Sequence, residues 1–286
     1  MTLTIGEANK LALSAARARR NVLRMFSAGG SGHLGGAFSC LDMLTALYSR
    51  VLNIDPADPK NEGRDRFLLS AGHKALAQYA VLAVHDFFPD SELDTYGSRG
   101  ARLPGHPDMH KLSGIEGNTG ALGHGTAIAA GMALAAKIDG RLYRVFTILG
   151  DGELPEGSNW EAFAAAAHHG LDNLVAVIDY NDFQISGSVG EIMNMHSIAD
   201  KMRAFGWSVR EIDGHDFDQI VDAFENAPYE PGKPSGIVAH TIKGQGISSL
   251  AGRLESHYWQ PSDIELAVAI DETESLIDQL SEKVAR

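Results

Sequence analysis

Two rhythms of apolar positions alternate along this chain. Short, nearly continuous apolar runs at residues 64–69, 144–149, 173–178, 207–212 and 236–240 have the length of strands buried on both faces. Between them the apolar residues move to helical spacing. Residues 5–26 place Leu11, Ala15, Val22 and Phe26 on one face before Gly29-Gly30 ends the helix, and Arg17, Arg20 and Arg24 share another face, expected to be solvated or ion-paired. Further helices are predicted at residues 38–51, from Ser70-Ala71-Gly72-His73 through 83, at 127–138, 156–170, 197–205 and 217–224, and at the C-terminal end at about 262–284. Strand and helix in alternation predict an α/β fold, a doubly wound parallel sheet with helices on both faces. No break in composition divides the 286 residues, so a single domain over 1–286 is expected.

The predicted strands at 144–149 and 173–178 end in chemically distinctive residues. One runs into Gly150-Asp151-Gly152-Glu153 and the other into Asp179-Tyr180-Asn181. The intervening segment, with Trp160, Phe163 and Ala167 at helical spacing and Gly170 as its stop, makes one right-handed βαβ unit. Asp151 and Asn181 then meet at the carboxyl edge of the sheet, where open α/β folds bind ligands. Two such oxygen donors suit a magnesium ion that completes its shell with water and a phosphate. Gly150 and Gly152 leave room for a diphosphate beside the backbone.

Lys and Arg total 24 against 37 acids, a net charge of −13, which argues against a nucleic-acid surface. The single Cys40 excludes an internal disulfide and a cysteine metal cluster. Residues 3–24 mix charges with apolar positions, unlike a signal peptide, and no run is long enough for a membrane span, so a cytoplasmic protein is expected.

Of the 12 histidines, His33, His73, His106, His124 and His215 directly follow glycine, where chance placement among 31 glycines would give about one such pair. Gly-His sets an imidazole on a tight loop, able to exchange a proton near neutral pH. His106 lies in Pro104-Gly105-His106-Pro107, inside a long aperiodic stretch at residues 94–122 that those prolines should order. The His106 and His110 spacing is ligand-like, but Pro107 disfavours helical presentation of a zinc pair.

Gly150-Asp151-Gly152 through Asn181 resembles the thiamine-diphosphate motif, and Gly-Asp-Gly-Glu-Leu-Pro-Glu-Gly running into Trp160-Glu161-Ala162 resembles the transketolase family. Ser31-Gly32-His33, Ser70-Ala71-Gly72-His73, Pro104-Gly105-His106-Pro107, Gly120-Ala121-Leu122-Gly123-His124-Gly125 and Glu255-Ser256-His257 resemble further family motifs, the likeness running over residues 5–262. It implies a diphosphate-binding (PP-type) fold and the cofactor thiamine diphosphate. The metal, Mg2+ or Ca2+ or Mn2+ in its place, would be held by Asp151, Asn181 and the main-chain carbonyl of Phe183. By the same resemblance His73 and His257 reach the diphosphate, Gly120, Leu122, Gly152 and Ile185 line the cofactor, and Glu156 is an acid between paired active sites. His33, His106 and His257 would serve the reacting carbons and their protons.

The resemblance implies transfer of a two-carbon ketol group from a ketose phosphate to an aldose. It covers only the diphosphate-binding part of a full-length family member. The chain has no pyrimidine-binding domain, so the glutamate that activates the cofactor is expected on a partner, a C-terminal transketolase subunit, in a heterotetramer of two plus two. An α subunit of a 2-oxo-acid dehydrogenase or a non-catalytic cofactor-binding subunit are the alternatives. Leu34 stands where the family has Pro, His124 where it has Gln, and Tyr258-Trp259 follow the late histidine where it has Gly. That crowding and the Arg99-Gly100-Ala101-Arg102 loop point to an unusual or branched ketose.

Overall fold

The computed structural model describes residues 2–286. Five strands form one parallel sheet: β1 Arg66–Leu69, β2 Val145–Gly150, β3 Leu174–Tyr180, β4 Ser208–Asp213 and β5 Ser235–His240, in the order β1-β2-β3-β5-β4. Alternate residues point to opposite faces, so each strand feeds two cores. Phe146, Ile148, Val175, Val177 and Ile237 pack on one side, and Val145, Leu149, Leu174, Ile178 and Val238 on the other.

The first layer is built from α1 Ile5–Gly29, α2 Leu34–Ala46, α3 Ala75–Val84 and α8 Phe217–Glu225. Opposite it lie α4 Gly125–Ile138, α5 Gly157–His168 and α7 Ile198–Ala204, with the one-turn helix α6 Val189–Ile192 beyond β3. The chain steps outward from β1 to β3, places β4 at the far edge and turns back to insert β5. A right-handed crossover made in the returning direction puts α8 on the other face from α5 and α7. The helices therefore cover both faces, as the alternation predicts.

Boundaries differ where packing overrides local preference. Helix α2 starts at Leu34 rather than 38 and ends in a π turn, Leu47–Val51. Gly35 and Gly36 are poor helix formers, yet a Cβ on Gly35 would overlap Ser256 Oγ and one on Gly36 would meet Lys74 Cε at 3.3 Å. Close approach of other segments, not helix propensity, selects those glycines. The unanticipated α6 is opened by a capping box in which Ser188 Oγ accepts from Glu191 N at 3.3 Å.

The C-terminal helix α9, Asp263–Ala285, begins at a similar box on Ser262 and packs Ile277 and Leu280 against Leu13 and Ala16 of α1. Helix α1 consequently buries more than one stripe, Arg19 and Asn21 included. Its arginine face is ion-paired, Arg24 to Asp94 at 2.6 Å and Arg20 to Glu274 at 4.0 Å. Among the described residues no helix is long and apolar enough to cross a membrane.

Candidate functional site

The carboxyl ends of β1, β2, β3 and β5 share one edge, and a cavity of about 210 Å3 opens there, lined by His73, Lys74, Asp151, Asn181, Lys243 and His257 among others. In-register pairing of β2 with β3, Gly150 beside Asp179, brings the two strand ends level. Asp151 is 2% exposed; its carboxylate accepts from Gly152 N at 2.8 Å and from Asp182 N at 2.6 Å. The second of these bonds ties the two loops together directly. Asn181 turns its amide nitrogen toward Asp179 at 3.4 Å, while its Oδ1 accepts from Phe183 N at 3.3 Å. Burial, and then the negative charge of Asp179, push the Asp151 carboxyl up to about 7.

Beneath the cavity lies an ion pair that the sequence pattern does not announce. Lys74, 2% exposed, donates to fully buried Asp179, which also accepts from Ser39 Oγ at 2.5 Å and from Thr241 Oγ1. Burial opposes both charges, but Lys74 and these donors hold the Asp179 carboxyl below its usual range, and Asp179 carries the Lys74 ammonium up to about 12. Lys243 is also buried; its Nζ donates to the Phe183 carbonyl at 3.3 Å, and burial with Lys74 nearby brings it down to about 8. Each lysine carries a signal in the sequence: Lys74 directly follows the Gly72-His73 pair, and Lys243 lies in the glycine-rich loop that follows a predicted strand.

Three of the expected histidines meet at the mouth. The His33 ring centroid lies 5.2 Å from those of both His73 and His257. Burial, followed by the Lys74 charge, brings His73 down to about 2, and burial with Lys243 brings His257 to about 4; His33 is lowered by burial and by His106. These rings are therefore neutral at pH 7, each with a free lone pair. His106 is exposed, its carbonyl accepting from the Tyr79 hydroxyl at 3.0 Å and its ring against Gly120, where a Cβ would meet Cδ2 at 2.7 Å. Leu122, Gly152 and Ile185 line the cavity.

Other expected residues stand elsewhere. Glu156 is exposed at the start of α5, outside the cavity lining; the buried acid of that turn is Glu153, which accepts from Ser70 Oγ at 2.5 Å and Gly123 N at 2.9 Å and so joins three loops. Tyr258 crowds the mouth as expected, 4.5 Å from the His257 ring and 5.1 Å from His33, but Trp259 turns away to stack on Phe26. Arg102 is engaged with Glu92 at 2.7 Å, not directed at a ligand. His124 is exposed beside the Leu122 carbonyl.

The donor set has the chemistry of a hard-cation site: a carboxylate, an amide oxygen and a main-chain carbonyl. Two buried ammonium groups beside it supply counter-charge for a diphosphate. Gln184 Nε2, on the cavity wall, is a buried donor without a partner among the described residues, and so is free for a ligand oxygen. The residues present thus fit a metal-bridged diphosphate.

The family model described as transketolase, thiamine diphosphate binding domain, matches residues 11–265. One of the two subunits of an apulose-4-phosphate transketolase from Phocaeicola vulgatus is 40% identical over 96% of this chain and 97% of its own length. A 6-deoxy-6-sulfo-D-fructose transketolase subunit from a Clostridium species is 46% identical over 86% of this chain and 89% of its own length. The solved transketolase of Leishmania mexicana superposes with a TM-score of 0.83 at 27% identity; it covers all of this chain, which spans 46% of it. By its motifs, its sheet and these likenesses, the chain belongs to the transketolase family and carries that family's thiamine diphosphate binding domain.

Proposed function

We propose that the chain is the N-terminal subunit of a split transketolase, binding thiamine diphosphate through a divalent metal ion, Mg2+ first among the candidates. The observation that carries this reading is the convergence of Asp151, Asn181 and the Phe183 carbonyl beside Lys74 and Lys243 at one sheet edge. Asp151 and Asn181 would hold the metal with the Phe183 carbonyl, and Lys74, Lys243, His73 and His257 would face the diphosphate. When bound, the cofactor supplies the electron sink that lets a carbon–carbon bond next to a ketose carbonyl break.

The chain's own share is binding, orientation and proton handling. His33 and His257 present unprotonated rings side by side, able to take a proton from a donor hydroxyl and return it to an acceptor oxygen. His106, on its Tyr79-anchored loop, is placed to share that work. Leu122 and Ile185 give the cavity an apolar wall against the ring system.

A partner subunit would bring the activating glutamate and complete the site, in a heterotetramer of two plus two. The names of the two relatives, subunits of transketolases for apulose 4-phosphate and 6-deoxy-6-sulfo-D-fructose, support this division of labour and a ketose with an anionic terminus as donor. The test is calorimetric titration of thiamine diphosphate with Mg2+ into this chain. Ketol transfer is then assayed from both of those sugars, with and without a candidate partner. Cofactor uptake, with turnover only in the mixture, is expected; absence of uptake in either state would sink the reading.

A further inference from the structure

We infer that His215, one of the Gly-His pairs with no place in the chemistry above, is a positioning residue for the loop that carries Lys243. The inference rests on the proposed cofactor reading and assigns that site a support outside it. Lys243 follows β5 in a segment, residues 241–246, whose neighbouring side chain gives it no grip, since Ile242 is 45% exposed. The main chain is held instead. Ile242 N donates to His215 Nε2 at 2.8 Å, and three residues on the Gln245 carbonyl accepts from Arg19 Nε at 3.2 Å.

Both anchors end on one carboxylate. His215 Nδ1 lies 2.8 Å from Asp42 Oδ2, and Arg19 Nη2 contacts Asp42 at 2.7 and 2.8 Å. Because Nε2 accepts from an amide, Nδ1 must be the protonated nitrogen, so Asp42 fixes the tautomer that can receive the Ile242 N–H. A Cβ on Gly246, which has φ +89°, would overlap Arg19 Nε, so the glycine permits this approach. Lys243 is thus clamped on either side, at 242 and 245, by a cluster that does not touch the cavity. Its ammonium is thereby held at the Phe183 carbonyl and its lowered charge stability tolerated.

The test is a double-mutant cycle on the full chain, read as the Kd for thiamine diphosphate with Mg2+. Loss of one oriented hydrogen bond in His215→Phe is expected to weaken binding roughly tenfold. His215→Gln, whose amide presents a donor and an acceptor at similar separation, should recover most of it. In a Lys243→Met background His215→Phe should add nothing, because the residue it acts through is gone. His215→Asn, too short to reach both partners, runs the same cycle without an added ring. Wild-type affinity in His215→Phe, an undiminished loss on top of Lys243→Met, or failure of both variants to fold would overturn the positioning role. A wild-type chain that takes up no thiamine diphosphate would overturn the cofactor reading itself, and this inference with it.

Discussion

Asp42 and Asp151 are both buried carboxylates, 4% and 2% exposed, yet the protein treats them in opposite ways. Asp42 is closed: Arg19 binds it with two short contacts and His215 with a third, and although burial opposes the charge, these partners hold its carboxyl below the usual range. Asp151 is open. Two backbone N–H groups reach it, no side-chain cation lies within hydrogen-bond distance among the described residues, and its carboxyl rises to about 7. Burial that comes with partners builds the fold; burial without them leaves a charge for something else to neutralise.

Removing each acid separates the two roles. Asp151→Ala should weaken metal-supported cofactor binding by roughly 100-fold or more, since a donor and its charge are lost together; calorimetry of thiamine diphosphate with Mg2+ reads this. The same variant should leave the urea midpoint of the metal-free chain unchanged or raised at pH 8, because the ionised acid is unfavourable there. Asp42→Ala should do the reverse and cost about 3–5 kcal/mol in urea unfolding, as it strands the buried Arg19 charge. If the two variants lost stability equally, the contrast between them would fail.

Acidity sharpens the same contrast. A proton competes with the metal for Asp151, so Mg2+ affinity should fall as pH drops below about 7, approaching tenfold per unit. Titrations at pH 6 and 8 would show it. For stability the signs oppose. Asp151 has a raised folded-state value, so its contribution to the metal-free chain is present in acid and lost as pH rises through about 7. Asp42 has a lowered one, so its contribution is held at neutrality and lost as pH falls below 3.8. The smallest effect is expected at Tyr258, whose ring roofs His33 and His257. Tyr258→Gly should alter the ratio of kcat/KM between the two relatives' sugars by about 10-fold, within what pocket shape alone supplies; an unchanged ratio would remove Tyr258 from donor choice.

The open acid was legible in the sequence and the closed one was not. Asp151 stands in a Gly-Asp-Gly turn at the end of an apolar run, a pattern that names its position in a parallel sheet. Asp42 sits within the predicted helix at 38–51, and its partners come from residues 19 and 215. The same holds for the lysines. Lys74 and Lys243 are ordinary in sequence, and only the meeting of the β1, β3 and β5 ends makes them a buried pair around Asp179 and Phe183. Glu153 and Glu156 show the reverse failure: both belong to one motif, and a single turn sends the first inward and leaves the second in solvent.

The sequence by itself determined the layered parallel fold, because strand and helix differ in period, and the strand-end acid and amide, because parallel strands bring equivalent ends together. It also determined which histidines ride on glycine loops. Only the tertiary structure decided which charges are neutralised internally and which remain for a ligand. That balance depends on distances between segments far apart in the chain and on the water excluded between them, and neither is encoded in local pattern.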